Sequence, residues 1–292
     1  MKNLEFYILD VFAESKYAGN QLAVFRNAGD LKTDEMQIIA LEMNYSETTF
    51  ILSEDKREGG YDVRIFTPAE EIPFAGHPTL GTAYIIRNEM ETVKSDEIKL
   101  NLKAGQIPVS FGSDGEVIWM RQNPAVFRHV LNHDRVAECL NLHTEDLDSR
   151  FPVQEVSTGT PFIIAPLKSL QAIKRAHINL SKFMSMVDEL EGRAILLFCP
   201  ETYNENNDLN VRMFADYYGV PEDPATGSAN GCLAGYLVKY DYFDSEEIDI
   251  RVEQGYEIKR PSLLYLRSAY KDSEIRVEVG GKVILVAKGN LL

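Results

Sequence analysis

The chain repeats itself, and this constrains its fold more than any other feature it has. Val63-Arg64-Ile65-Phe66 returns as Val211-Arg212-Met213-Phe214. Pro73-Phe74-Ala75-Gly76-His77-Pro78 returns as Pro224-Ala225-Thr226-Gly227-Ser228-Ala229, and Leu100-x-Leu102-x-x-Gly105 as Ile250-x-Val252-x-x-Gly255. The offsets are 148 (63 to 211), 151 (73 to 224) and 150 (100 to 250), in the same order in both halves. Three collinear near-matches predict a duplicated domain. Such a domain makes a cleft where its halves face each other, so function is expected where matched loops carry unmatched polar groups.

Composition agrees. A chain of 292 residues can hold two domains, each able to bury its own core, and the repeat fits that size. With 45% hydrophobic and 26% charged residues it reads as soluble and globular. The net charge of −15 argues against nucleic acid and anionic membranes as partners, since both attract basic patches. Cys139, Cys199 and Cys232 form neither a Cys-x-x-Cys pair nor a disulfide framework. The opening Met1-Lys2-Asn3-Leu4-Glu5 lacks the apolar run of a signal peptide, and no stretch approaches the roughly 20 apolar residues that span a bilayer. The expected location is cytoplasmic.

Thr33-Asp34-Glu35, followed by Met36, Ile39, Ala40 and Met43, reads as a capped amphipathic helix. Ser181 to Leu190 is a weaker case at the matching place in the other half. Ile98-x-Leu100-x-Leu102 and Ile107-x-Val109-x-Phe111 are strands around Gly105, and Ile275 to Ala287, broken by Gly280-Gly281, has the form of a hairpin. Leu80–Ile86 and Ala229–Val238 are apolar or small on every side and each follows a Gly-containing turn. Periodicity alone does not separate helix from buried strand here; length favours one buried helix per half, wrapped by antiparallel strands. The crossing is expected near Trp119 to Pro124. It gives an N-terminal repeat over 1–118 and a C-terminal repeat over 119–282, with 283–292 available to return and pair with the first.

The matched turns of the two halves carry most of the candidate chemistry. Gly76 permits a tight or left-handed backbone, and Pro78 suits the first helical position. Both Phe74-Ala75-Gly76-His77 and Ala225-Thr226-Gly227-Ser228 would present backbone N–H groups at a helix N-terminus, which is an anion site by geometry and dipole. Read blandly, both are capped turns feeding core helices. His77 and Ser228 share a place but differ in type, and His77 is either a satisfied structural residue or a catalytic one. Asp223 is a turn former or N-cap, or a carboxylate that orients a substrate amine or relays a proton. Glu47 is a surface strand residue, or a general acid–base group whose pKa is raised by the apolar strand Thr48-Thr49-Phe50-Ile51-Leu52. Asn20, in Gly19-Asn20-Gln21-Leu22-Ala23-Val24, is a strand-turn residue that could also reach the cleft.

Dinucleotide, phosphate-loop and nucleophile-elbow signatures are missing. His77, His129, His133, His143 and His177 lack metal-ligand spacing. No metal and no cofactor are expected.

Asp10-Val11-Phe12, Gly19 to Phe25, Asn44-Tyr45-Ser46-Glu47-Thr48, Phe74 to Thr79 and Glu222 to Ala229 together resemble the phenazine-biosynthesis (PhzF-like) family, in family order. The resemblance implies the diaminopimelate epimerase-like fold, α+β, with two pseudo-symmetric strand-rich barrel domains each wrapped around a central helix. It implies a cofactor-free isomerisation of a dihydro-hydroxyanthranilate by proton transfer, with Glu47 as the acid–base residue. His77, Asp223 and Ser228 would assist, and Asn20, Thr226 and the backbone amides of Gly76 and Gly227 would bind substrate. Homodimers are usual in the family. The superfamily's racemases use a cysteine in each matched loop; His77 and Ser228 stand there instead, with Cys232 four residues on. The expectation is therefore a cofactor-independent isomerase of a small carboxylated substrate. The alternatives are a non-thiol epimerase or racemase of an amino or hydroxy acid, or a binding protein without turnover.

Overall fold

The structure, a computed structural model, describes residues 4–113 and 115–292; Met1–Asn3, on which part of the signal-peptide reading falls, and Asp114 lie outside the described residues. Contacts divide the chain into two compact units, Met1–Met120 with Gly280–Leu292, and Arg121–Val279.

The first unit opens with β1 (Leu4–Val11), β2 (Asn20–Phe25), β3 (Glu47–Ile51), β4 (Tyr61–Phe66), β5 (Glu71–Ile72), β6 (Glu97–Leu102), β7 (Gly105–Phe111) and β8 (Ile118–Gln122), the last leading into the second unit. From β1 to β4 the pairings run antiparallel, parallel, antiparallel; β4 then pairs β6 in parallel and β6 pairs β7 antiparallel. The second unit carries β9 (Val126–Leu131), β10 (Val153–Ser157), β11 (Pro161–Pro166), β12 (Ile195–Cys199), β13 (Leu209–Ala215), β14 (Val220–Asp223), β15 (Glu247–Gln254), β16 (Ser262–Lys271) and β17 (Glu274–Gly281). Its run β10, β11, β12, β13, β15, β16 repeats the same order of antiparallel and parallel pairings. β5 and β14 are the short partners of β4 and β13. The final strand β18 (Val283–Leu291) returns to pair with β1.

Parallel neighbours need a crossover, and helices supply it in both units. α1 (Thr33–Met43) joins β2 to β3, while α4 (Leu170–Arg175) and α5 (Leu180–Val187) join β11 to β12. Thr33 is not the cap of α1 but its first residue; the carboxylate of Glu35 closes the turn by accepting the Lys32 N–H at 2.7 Å. α5 is capped by Asn179, whose side chain accepts the Lys182 N–H. A separate short helix, α3 (His133–Cys139), packs against α5 in the second unit.

The two apolar segments are helices. α2 (Gly76–Ile85) and α6 (Gly227–Lys239) are buried along almost their whole lengths. That explains their composition, since a helix packed on all sides has no face for charge. β3 shows how the sheet is used on both sides. Phe50 points towards α1, in a cluster with Phe25, Phe66 and Met36; alternation then sends Glu47 and Thr49 to the other face, where the Thr49 hydroxyl meets that of Thr82 on α2 at 2.8 Å. Burying each such ring contributes about 2–3 kcal/mol.

Three local expectations are corrected. Gly76 is not left-handed; it is the first residue of α2, as Gly227 is of α6. Pro78 lies two residues later than expected, in the first turn of α2, where its missing N–H still costs nothing. The Gly280-Gly281 hairpin does not form. Only Lys282 separates β17 from β18, too short a link for a reversal, and β18 pairs with β1 instead. Both glycines are extended and make room for aromatic rings: a Cβ on Gly280 would come within 2.7 Å of Trp119, and one on Gly281 within 2.2 Å of Phe12.

Candidate active site

An arginine brace shapes the approach to each central helix. Arg64 of β4 donates through Nε and Nη2 to the two carboxylate oxygens of Glu71 on β5, at 2.9 and 2.8 Å. Arg212 of β13 does the same to Glu222 on β14, at 3.0 and 2.7 Å. The arginines are the ones in the sequence repeat, so the brace itself is duplicated, and such bidentate pairing fixes orientation as well as distance.

In the first unit, β2 and β3 pair in parallel with Leu22 opposite Glu47. Glu47 opens β3 on the α2 side, with its side chain 17% accessible, and His77 is the second residue of α2. His77 Nε2 lies 3.4 Å from Glu47 Oε2. Burial pushes the imidazole pKa down to about 3, against a smaller opposing effect of its hydrogen bond with the Gln21 backbone. His77 is therefore neutral at ordinary pH, and its Nε2 makes no hydrogen bond among the described residues. The contact with Glu47 is not an ion pair. It is a carboxyl oxygen facing an uncharged ring nitrogen, an arrangement in which a protonated carboxyl can turn its hydrogen towards the ring. Asn20 is buried at the head of β2, two residues before Leu22 and so on the face that carries Glu47.

In the second unit the equivalent turn is a closed polar network. Asp223 ends β14, and its Oδ2 accepts the Thr226 hydroxyl at 2.5 Å. Asp223 is thus not an N-cap; Thr226 holds the N-cap position, and its side chain reaches back to Asp223 instead of capping. Gln254, at the end of β15, accepts the Thr226 N–H at 3.1 Å and donates to the Asp223 carbonyl at 2.8 Å. Asn230 of α6 donates to the Thr226 carbonyl at 3.0 Å and to Gln254 at 2.9 Å. Gln122 donates to the Gly227 carbonyl at 3.0 Å and accepts the Thr158 hydroxyl at 2.6 Å. Ser228, half-buried, is the second residue of α6, as His77 is of α2.

No side chain among the described residues caps α2 or α6. The first intrahelical donors are Thr79 N–H to Ala75 and Asn230 N–H to Thr226. The N–H groups of Gly76 and His77, and of Gly227 and Ser228, precede them and point out of the helix ends, where an anion is favoured. Cys232 is fully buried, 3.6 Å from the Thr158 hydroxyl, and burial pushes its thiol up to about 12. It is no nucleophile at neutral pH. Among the described residues, no group of His, Cys, Asp or Glu is placed to hold a metal, and no helix is long and apolar enough to cross a membrane.

The structure brings Glu47 to His77, and Asp223 to Thr226. Sequence reasoning missed Gln254, Asn230, Gln122 and Thr158. A signal existed for the first: Gln254 precedes Gly255 in the third repeat, where Ala104 precedes Gly105. The ladders place it a little differently. Val211 pairs with Gln254, whereas Asp62 opposite Asn101 puts Leu102 beside Val63. Beyond these positions the units also differ in length: residues 255–261 join β15 to β16, where only 103–104 join β6 to β7.

Comparison with known proteins agrees with this description. The family model for phenazine biosynthesis-like proteins matches residues 9–289. Trans-2,3-dihydro-3-hydroxyanthranilate isomerase of Pseudomonas aeruginosa is 33% identical over 288 residues, covering 97% of this chain and 98% of that protein. The crystal structure of a Bacillus anthracis phenazine biosynthesis protein of the PhzF family superposes with a TM-score of 0.91 at 30% identity, covering 100% of both chains. A hydroxyproline epimerase from Agrobacterium vitis shares the fold at a TM-score of 0.63 and 7% identity, over 100% of this chain and 91% of that one. The fold is of the diaminopimelate epimerase-like class.

Proposed function

The chain belongs to the phenazine biosynthesis-like family and is an isomerase; from that premise we propose that Glu47 moves a proton within a small carboxylated substrate, without a cofactor. The observation that carries this reading is the 3.4 Å approach of Glu47 Oε2 to the buried, neutral Nε2 of His77. A residue that takes a proton from one carbon and returns it to another must be stable in both protonation states. The neutral imidazole offers no positive charge that would lock Glu47 as a carboxylate, and its lone pair can accept a hydrogen bond from the protonated carboxyl between the two transfers.

In this reading the amide at Gly76 holds a carboxylate beside Glu47, with Asn20 orienting the substrate; in the second unit the amide at Gly227 is the matching anion group, and Asp223 and Ser228 are the orienting ones. Fixed N–H dipoles stabilise the charge that grows there once the proton leaves carbon. The substrate class follows the P. aeruginosa relative, a cyclic dihydro-hydroxyanthranilate. The high pKa of Cys232 speaks against a thiol-based epimerase.

The test uses trans-2,3-dihydro-3-hydroxyanthranilate in deuterated water, with chelator-treated wild type and with Glu47→Gln. The expected result is isomerised, deuterated product from the wild type and almost none from the variant. Equal incorporation by both would remove Glu47 as the proton carrier; loss of wild-type activity on chelation would remove cofactor independence.

A further inference from the structure

Gln254 is fully buried at the end of β15, and the whole hydrogen-bonding capacity of its amide is spent on one turn. A primary amide has two donor hydrogens and two acceptor sites. Here Oε1 accepts the Thr226 N–H at 3.1 Å and an Asn230 Nδ2 hydrogen at 2.9 Å. Nε2 donates to the Asp223 carbonyl at 2.8 Å and to the Thr226 hydroxyl oxygen at 3.1 Å. The reverse orientation would set an NH2 group against the Thr226 N–H and an oxygen against the Asp223 carbonyl, so the amide has one permitted orientation. Asn230 commits its NH2 group to the same turn, which leaves its own buried Oδ1 without a hydrogen bond among the described residues.

This orientation has a consequence for Thr226. Its oxygen receives a hydrogen from Gln254, so its single proton is directed to the other neighbour, Asp223 Oδ2 at 2.5 Å. We propose that Gln254 is a positioning residue for the isomerisation: it sets the direction of the Thr226 hydroxyl, and that hydroxyl holds the Asp223 carboxylate in one rotamer. Thr226 then acts within the protein, because its N–H, hydroxyl and carbonyl are all engaged by Gln254, Asp223 and Asn230. The relay belongs to the second unit alone. The first unit has Ile72 and Leu102 at the ladder positions of Asp223 and Gln254, and Ala75 at the N-cap position of Thr226.

The inference rests on the proposed role of Asp223 in turnover, so its first test needs no substrate. In unliganded protein, the Thr226 hydroxyl proton should give a downfield proton NMR resonance. It should persist in Thr226→Ser, vanish in Thr226→Val, and move upfield in Gln254→Glu, where the new carboxylate competes for that proton. With trans-2,3-dihydro-3-hydroxyanthranilate as probe, Thr226→Val and Gln254→Glu should each lower kcat about tenfold with KM nearly unchanged. The double variant should be no slower than either, and Thr226→Ser should restore most of the rate. A wild-type protein without that resonance, a resonance unmoved in Gln254→Glu, or effects that multiply in the double variant would each overturn the relay. A normal NMR result with no wild-type turnover would instead sink the proposed reaction and leave the orienting contact standing.

Discussion

The turn into α2 and the turn into α6 are built on one plan and filled in opposite ways. Both follow a strand braced by arginine, both start with glycine, and both deliver two outward N–H groups at the head of a buried helix. Around the first stand Glu47 and His77; the strand ladders put Ala194 where Glu47 would be, and Ser228 takes the place of His77. Around the second stand Asp223, Thr226 and Gln254, which the first unit replaces with Ile72, Ala75 and Leu102. Duplication supplied two matched scaffolds, and divergence gave one a carboxyl–imidazole pair and the other a fixed polar network. The matched positions that differ most in chemistry are the ones to which function is assigned.

The largest expected effect breaks the comparison on its catalytic side. Glu47→Gln should lower turnover by about 10²–10⁴-fold, the usual worth of a general acid–base group, while Ala194→Ser at the matched position should leave it within about twofold. Equal effects in steady-state assays would mean that the two units do not divide the labour as described.

The braces come next. Arg212 is more deeply buried than Arg64 (side chains 10% and 24% accessible) and also donates to the carbonyls of Ile173 and Ala176. Arg212→Ala should cost about 3–5 kcal/mol, because it strands a buried carboxylate, and Arg64→Ala about 1 kcal/mol. Denaturant midpoints would show the order, and a reversed order would refute the ranking by burial.

A smaller effect separates the units by pH. The folded pKa of His77, about 3, lies below an unfolded value of about 6.5. Between the two the unfolded chain binds more protons at this residue, so its contribution to stability is complete above about pH 6.5 and is lost as pH falls towards 3. From pH 6.5 to 5 the loss should be about 2 kcal/mol. His77→Gln should remove that slope, as measured by unfolding at each pH; Ser228→Ala should not change it. Persistence of the slope in His77→Gln would show that the imidazole is not held neutral by folding.

How much of this was legible in the chain depends on whether the determinant was local. The amphipathic helix at Thr33–Met43 and the strands around Gly105 follow from short-range patterning, as does the all-round apolar character of α2 and α6. Gly280-Gly281 misled, because a glycine that yields to a ring looks the same in sequence as one that turns. Gln254 was passed over, because its partners lie 24 to 31 residues away and come together only through the β13–β15 pairing.

The sequence by itself determined that the fold is built twice, that each half buries one all-round apolar segment, and which matched positions carry unlike chemistry, because repeats, turns and periodicity are written in neighbouring residues. Only the tertiary structure decided that His77 is neutral and lies against Glu47, and that Thr226 serves Asp223 under the direction of Gln254. A pKa depends on how completely water is excluded, and a hydroxyl's direction on which partner already occupies its lone pair. Neither quantity exists until distant segments have packed.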